Sequence, residues 1–280
     1  MIPIRDENPT HHKSYVTIGL IAVNVAVFLL QVRGVQDVDQ DIVYKYGFVP
    51  AQLVHGSAEL RDEIRKDPPL QLKRDQFGRT YVNRLTGLPV MEPVPIPIDT
   101  ITAVPAWVNI FTCMFLHGGW MHLLGNMLYL WIFGNNIEDK LGPVLFTVFY
   151  LGTGVAGNLA HTWQDPGLVP LVGASGAISG VMGAYVLLFP RAKVLTLIPA
   201  GWYWFTVRMP AWVFLGVYIV VQNLFPVFRG SQGAVAYWAH IGGFAAGAAL
   251  IYLFPHRKPP QTPARPVTGR FFDGEADFEI

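Results

Sequence analysis

The stretch Val172-Gly173-Ala174-Ser175-Gly176-Ala177-Ile178-Ser179-Gly180 opens an apolar run that continues without a charge to Phe189. An uncharged run of this kind reads as a helix in a lipid bilayer, which takes about 20 residues to cross. Ser175, Ser179 and Gly183 recur every four residues, as do Gly176, Gly180 and Ala184. Such small-xxx-small patterns let helices approach closely, and packing is the plain reading of these serines. The position of Ser175 adds another. Near a helix N-terminus the backbone N–H groups lack helical partners and the dipole end is positive. A hydroxyl there has donors beside it that could receive an anion.

Composition supports the membrane reading. Of 280 residues, 52% are hydrophobic and 14% charged, against about 25% charged in ordinary globular domains. A net charge of +1 creates no strong field, so no nucleic-acid partner is expected. The single cysteine, Cys113, excludes an internal disulfide framework and a multi-cysteine zinc site.

Outward from residue 172, further apolar stretches lie at 15–32, about 108–133, 143–160, 211–228 and 236–254. The first is read as a retained span, being too long for a cleaved leader. The expected fold class is therefore all-α, a polytopic membrane protein with a six-transmembrane-helix bundle. Its divisions are an N-terminal tail at 1–14, the first helix at 15–32, an extended external loop or small subdomain at 33–106, a core at 107–254, and a polar, disordered tail at 255–280. Within the loop, Ser57 to Asp67 reads as a short helix stopped by Pro68-Pro69, and Phe77 to Tyr81 as part of a hairpin. Residues 89–105 are proline-rich and expected to be irregular.

Six spans place both termini on one side. With the 33–106 loop set aside, that side carries Arg5, Lys13, Lys140, Arg191, Lys193, Arg208, Arg257, Lys258, Arg265 and Arg270, and the other carries Arg229 alone. The positive-inside rule then makes both termini cytoplasmic. The expected location is a multi-pass position in the cell membrane, a prokaryotic inner membrane. Lipid is the implied surrounding, and nothing in the sequence sets an oligomeric state. In this topology His122, Ser175 and His240 each fall in the first half of a span running from outside to inside, at similar depth.

Ionisable groups inside a membrane are costly and usually functional. A serine hydroxyl needs a base, and His240 is the candidate. It shares a helix face with Gly243 and Gly247, which would let the sixth span press against the fourth. The structural alternative, a histidine bonded between helices, is about equally plausible for His240 alone. Glu138 and Asp139 lie on the cytoplasmic side; Asp165, in an outer loop, is a possible but unforced partner. A Ser–His dyad is expected rather than a triad, and no nucleophile elbow, since Ala177 stands where that motif requires glycine. His122 and Asn126, four residues apart, share a face and can both donate hydrogen bonds, as an oxyanion requires. Their structural alternative is interhelical glue. Two histidines and an asparagine do not make a zinc set. His117 is expected nearer the surface and structural, and His161 interfacial. Trp212, Phe214, Phe225 and Phe228 read as lipid-facing or interfacial anchors.

Together these stretches resemble the rhomboid intramembrane serine proteases. Phe115 to Asn126 is similar to the family's second-span motif, Gly173 to Ser175 and Gly176 to its nucleophile motif, and Ala239 to Gly243 with Gly247 to its base motif. Glu138 to Gly142 is similar to the turn before the third span. The resemblance implies a rhomboid-like bundle and a serine-type endopeptidase acting on transmembrane protein substrates near the outer face, with no cofactor and no metal. It implies Ser175 as nucleophile, His240 as base, and His122, Asn126 and the Ser175 amide as the oxyanion site. It also implies that span five and residues 229–238 act as lateral gate and cap. Where many members carry a tyrosine four residues after the nucleophile, this chain has Ser179. Two other readings are a catalytically silent rhomboid-like chaperone for transmembrane helices and a small transporter.

Overall fold

A computed structural model describes residues 1–33, 37–38, 40–66, 70–72, 91–93, 98–101, 103–229 and 235–257. The core consists of β1 (Ile2–Asp6), α1 (Tyr15–Gln31), α2 (Ala106–Thr112), α3 (Trp120–Tyr129), α4 (Pro143–Gln164), α5 (Ser175–Leu188), β2 (Lys193–Ala200), β3 (Tyr203–Pro210), α6 (Ala211–Ile219) and α7 (Tyr237–Leu250). The helix of α3 continues through a π-type turn at Leu130–Gly134 into Asn135–Leu141, and α6 through another at Val220–Leu224 into Phe225–Phe228. Gly142, with φ +79°, makes the sharp turn that ends the first of these, and Pro143 opens α4, a pairing of left-handed glycine and N-terminal proline that suits a helix boundary.

The molecule is mostly helical, and its polarity is distributed as lipid would demand. Along α1, Thr17, Asn24 and Gln31 are fully buried, seven residues apart on one inward stripe with Phe28. On the opposite side Leu30 is 78% exposed and Leu29 57%. Polar groups facing inward and large apolar ones outward is the reverse of the pattern for a helix in water. Two of these three residues are tied to other elements, and Asn24 Nδ2 donates to the carbonyl oxygen of Leu20 on its own helix. Thr17 N and Oγ1 both donate to Glu138, and Gln31 exchanges two hydrogen bonds with the backbone of His117. Pro143–Gln164 and the composite helix Ala211–Phe228 are each long and apolar enough to cross a membrane, whereas Tyr15–Gln31, Ala106–Phe115, Ser175–Leu188 and Tyr237–Leu253 are apolar but shorter. Among the described residues, helix length alone thus gives two spans rather than the six expected.

Three features amend the sequence reading. First, the fold is not purely α: β1, β2 and β3 form an antiparallel sheet in the order β1-β2-β3. The N-terminal residues read as a tail supply its edge strand. Second, the stretch at 108–133 is broken. A 3-10 turn at Cys113–Phe115 and a loop at Leu116–Gly119 separate α2 from α3, and the helix then runs on to Leu141. Third, α5 starts at Ser175, three residues into the apolar run that opens at Val172, and Gly173 ahead of it adopts φ +121°.

Within residues 33–106, the short helices Gln40–Tyr46, Pro50–His55, Ser57–Lys66 and Ile98–Ile101 gather a small core of Val49, Ala51, Leu60, Ile64 and Ile101. This subdomain docks on the bundle. Phe48 exchanges backbone hydrogen bonds with Leu171 and is buried beside Ile110 and Met114. The expected hairpin at 77–81 and the tail beyond 257 lie outside the described residues, as does most of the expected cap at 229–238.

Candidate active site

The site begins with two helices pressed together on glycine. A Cβ at Gly243 would strike the carbonyl oxygen of Gly176, one at Gly247 that of Gly180, and one at Gly183 that of Phe244. No larger residue fits at these three crossings, so α5 and α7 meet backbone to backbone. Ser175 is the first helical residue of α5, and His240 lies in the first turn of α7. Ser175 Oγ is 2.7 Å from His240 Nε2.

The other ring nitrogen is also engaged: His240 Nδ1 lies 2.8 Å from Asn223 Oδ1. Asn223 is 1% exposed and sits in the π-type turn Val220–Leu224. One turn earlier, Tyr218 hydroxyl pairs with Ser179 Oγ at 2.7 Å, and its ring lies 6.5 Å from that of His240 at 33°. The position four residues after Ser175 therefore carries a hydroxyl that recruits an aromatic ring from another helix. Asp165, the carboxylate considered for the histidine, lines the same cavity, but the place at Nδ1 is taken by Asn223.

His122 and Asn126 lie on α3 facing the turn into α5. A Cβ at Gly173 would come within 2.7 Å of His122 Cε1 and Nε2 and 3.5 Å of Asn126 Nδ2. Only glycine allows both side chains this close to the chain two residues ahead of Ser175. Gly118 N donates to His122 Nδ1 at 3.4 Å, and Asn126 Nδ2 is a buried donor with no hydrogen-bond partner among the described residues. A buried amide left so is uncommon and needs a reason; a transient acceptor would supply one. These groups border a cavity of about 1100 Å³ that reaches Trp120, His161 and Tyr218.

Other residues fall differently from expectation. His117 is fully buried rather than near the surface, its ring edge-on to His122 at 5.1 Å. Phe214 is 2% exposed and packs near Phe133 at 6.1 Å, so it belongs to the core; Trp212, Phe225 and Phe228 are 59%, 48% and 82% exposed, as anchors are. At the end of α5 opposite Ser175, Tyr185 donates to Asp6 Oδ2 at 2.6 Å and Asn136 Nδ2 donates to the same atom at 2.8 Å. Burial raises the Asp6 carboxyl above its ordinary range against those bonds. For Asp139 burial pulls upward, but hydrogen bonds from His12 and backbone amides outweigh it and hold the carboxyl low. The residue missed from sequence was Asn223. Its signal was the polar pair Gln222-Asn223 inside an otherwise apolar helix.

An apolar-surfaced helical bundle whose cavity holds a paired serine and imidazole defines a class of membrane-embedded protein with the equipment of a serine hydrolase. The family model for the Rhomboid domain matches residues 105–257, and the chain belongs to the rhomboid family, whose members are integral membrane proteins. It is 34% identical over 176 residues to Rhomboid protein 1, mitochondrial, of Saccharomyces cerevisiae, covering 60% of this chain and 48% of that protein. It is 29% identical over 161 residues to Rhomboid-like protein 11, chloroplastic, of Arabidopsis thaliana, covering 53% of each. To Rhomboid protease GluP of Bacillus subtilis it is 33% identical over 154 residues, covering 54% of this chain and 28% of that protein. The chain spans about half the length of the first two and less of the third. The relatives' compartments include mitochondria and chloroplasts, and so do not support a prokaryotic inner membrane in particular.

Proposed function

We propose that the chain is an intramembrane serine endopeptidase that cuts transmembrane segments of other membrane proteins near the outer face of the bilayer. The observation that carries this is the 2.7 Å pairing of Ser175 Oγ with His240 Nε2 at a helix N-terminus bordering the cavity. In this reading six apolar segments cross the membrane and both termini are cytoplasmic, as the distribution of basic residues favours. An intact substrate helix shields its peptide bonds by its own hydrogen bonding, so the segment unwinds locally before reaction.

Ser175 Oγ bonds to the exposed carbonyl carbon while its proton passes to His240 Nε2. The electron pair displaced onto the carbonyl oxygen is received by His122, Asn126 and the Ser175 amide. Collapse breaks the C–N bond, and the imidazolium proton leaves on the new amine. Water then attacks the acyl-serine with His240 again as base, releasing the new carboxyl end and restoring the hydroxyl. The relative named a rhomboid protease and the glycine-set contact of α5 with α7 support the assignment.

The test uses the purified full chain in detergent with a fluorophosphonate probe and a panel of single-span substrates. Labelling and cleavage are expected in the wild type, and neither in Ser175→Ala with unchanged thermal unfolding. A wild type that binds a transmembrane segment but resists the probe would favour a chaperone. Solute flux without labelling would favour a transporter.

A further inference from the structure

We infer that Asn223 is a positioning residue for His240, making the site a Ser175–His240–Asn223 array whose third member comes from the helix of α6. This rests on the serine-hydrolase reading above. Asn223 Nδ2 donates to the carbonyl oxygen of Tyr218 at 2.9 Å. That bond requires the NH2 end to face the helix, so the Oδ1 end faces His240, 2.8 Å from Nδ1. A carbonyl oxygen only accepts, so Nδ1 carries the proton. In a neutral imidazole Nε2 then holds a lone pair, and Nε2 is the atom 2.7 Å from Ser175 Oγ. The serine therefore donates to His240, which is the state a general base needs.

The backbone explains why the asparagine can do this. In a regular α-helix residue 223 would be displaced around the axis from its actual direction; the π-type turn Val220–Leu224 adds the extra residue that turns it inward. The carbonyl of Tyr218, five residues earlier, is the acceptor of the side-chain bond. Tyr218 itself is tied to Ser179 at 2.7 Å, which fixes this section of helix to α5. Asn223 is 1% exposed, so the acceptor is presented from a residue shielded from water. Among the described residues, the titratable groups sharing the cavity with His240 are His122, His161, Asp165, Tyr129 and Tyr218, and none of them is at Nδ1.

Asn223→Leu and Asn223→Asp, each in the purified full chain, test the inference through fluorophosphonate labelling and substrate cleavage from mildly acidic to alkaline pH. Asn223→Leu is expected to lower kcat about 10- to 100-fold with KM within about twofold, because the base loses its fixed tautomer but the substrate contacts remain. Asn223→Asp keeps an acceptor of the same size. It is expected to restore most of the rate above neutral pH, while the acidic limb of its profile moves about one unit or more to higher pH, since an anion beside Nδ1–H favours the charged ring. A merely structural role would not move that limb. Wild-type rate and pH profile in both variants would overturn the inference and leave the dyad standing. Should Asn223→Leu fail to fold, the profile of Asn223→Asp decides alone, and an unshifted limb overturns the inference. Absence of labelling in the wild type would instead sink the serine-hydrolase reading itself.

Discussion

Asn126 Nδ2 is a single atom with a clear experimental signature: a buried donor with no partner among the described residues, aimed beside Gly173. If it receives charge only as the oxyanion forms, Asn126→Ala lowers kcat about 10²- to 10³-fold and leaves KM nearly unchanged. A rise in KM with kcat intact would instead make it a substrate-binding group. The residues at this scale differed in how well the sequence disclosed them. Ser175 and His240 were legible because each is polar in an apolar run and each travels with glycines that mark a helix crossing. His122 and Asn126 were legible from their spacing of four. Asn223 was not, because its orientation depends on the extra residue of a π-type turn, which shifts the helical phase that spacing arguments assume. Phe214 was misread for a related reason: nothing in the sequence of α6 distinguishes its core-facing from its lipid-facing aromatics, since both sides are apolar.

Between elements, the decisive contacts are those where a side chain is absent or reaches across. Gly243 and Gly247 of α7 lie against backbone carbonyls of α5. Gly243→Val would force the helices apart, at a cost of about 1–3 kcal/mol as overpacking, and would move the imidazole from the hydroxyl. Lower thermal stability together with loss of fluorophosphonate labelling is the expected pair of results; labelling at wild-type rate would show that the crossing does not set the Ser–His distance. Glu138 works by reach. It is 2% exposed and accepts from Val16 N, Thr17 N and Thr17 Oγ1, closing the first turn of α1 from another helix. Ser14, the residue ahead of that helix, makes no side-chain cap of its own. Glu138→Ala strands these buried donors and should lower stability by about 1–3 kcal/mol, measurable by thermal unfolding in detergent, with labelling at 25 °C retained. The elements themselves were legible where apolar runs are long. The β2–β3 hairpin was not, because its residues fall between two apolar runs, where Arg191, Lys193 and Arg208 mark a polar connection but not its pairing. The break at Leu116–Gly119 was hidden because Gly118-Gly119 sits inside an apolar run whose mean character it barely alters.

For the whole molecule, the length of α5 sets the depth at which the proposed chemistry would take place. Its 14 residues extend about 21 Å, against a hydrocarbon core of about 30 Å. If its Leu188 end lies at the cytoplasmic boundary, Ser175 is about 9 Å beneath the opposite one, deep enough for a transmembrane segment and shallow enough for water through the cavity. Two sets of contacts tie the N-terminal segment to the bundle, Asp6 to Tyr185 near that end of α5 and His12 to Asp139, and they respond to acid with opposite sign. Asp139 is held low, so its stabilising bonds with His12 are complete above the ordinary carboxylate range and are lost as pH falls below it. Asp6 is raised, so its ionisation opposes folding above its folded-state pKa, and that penalty fades as pH falls. Asp139→Asn should therefore flatten the acid-side loss of thermal stability, and Asp6→Asn should flatten any gain. Identical pH curves for wild type and Asp139→Asn would separate the strand's anchoring from this pair. The arrangement as a whole makes a prediction about sides. Trp163, 85% exposed in the last turn of α4 at the end nearer the site, and Trp202, 98% exposed at the hairpin tip, fall toward opposite sides of the membrane in a six-span topology. Single cysteines placed there can be read against Cys113, which is buried. An impermeant maleimide added to intact cells should label Trp163→Cys at once and Trp202→Cys only after the membrane is opened. Labelling of both from outside would leave Ser175 on no defined side of the bilayer, and with it would go the argument that a short α5 lowers the serine to cutting depth.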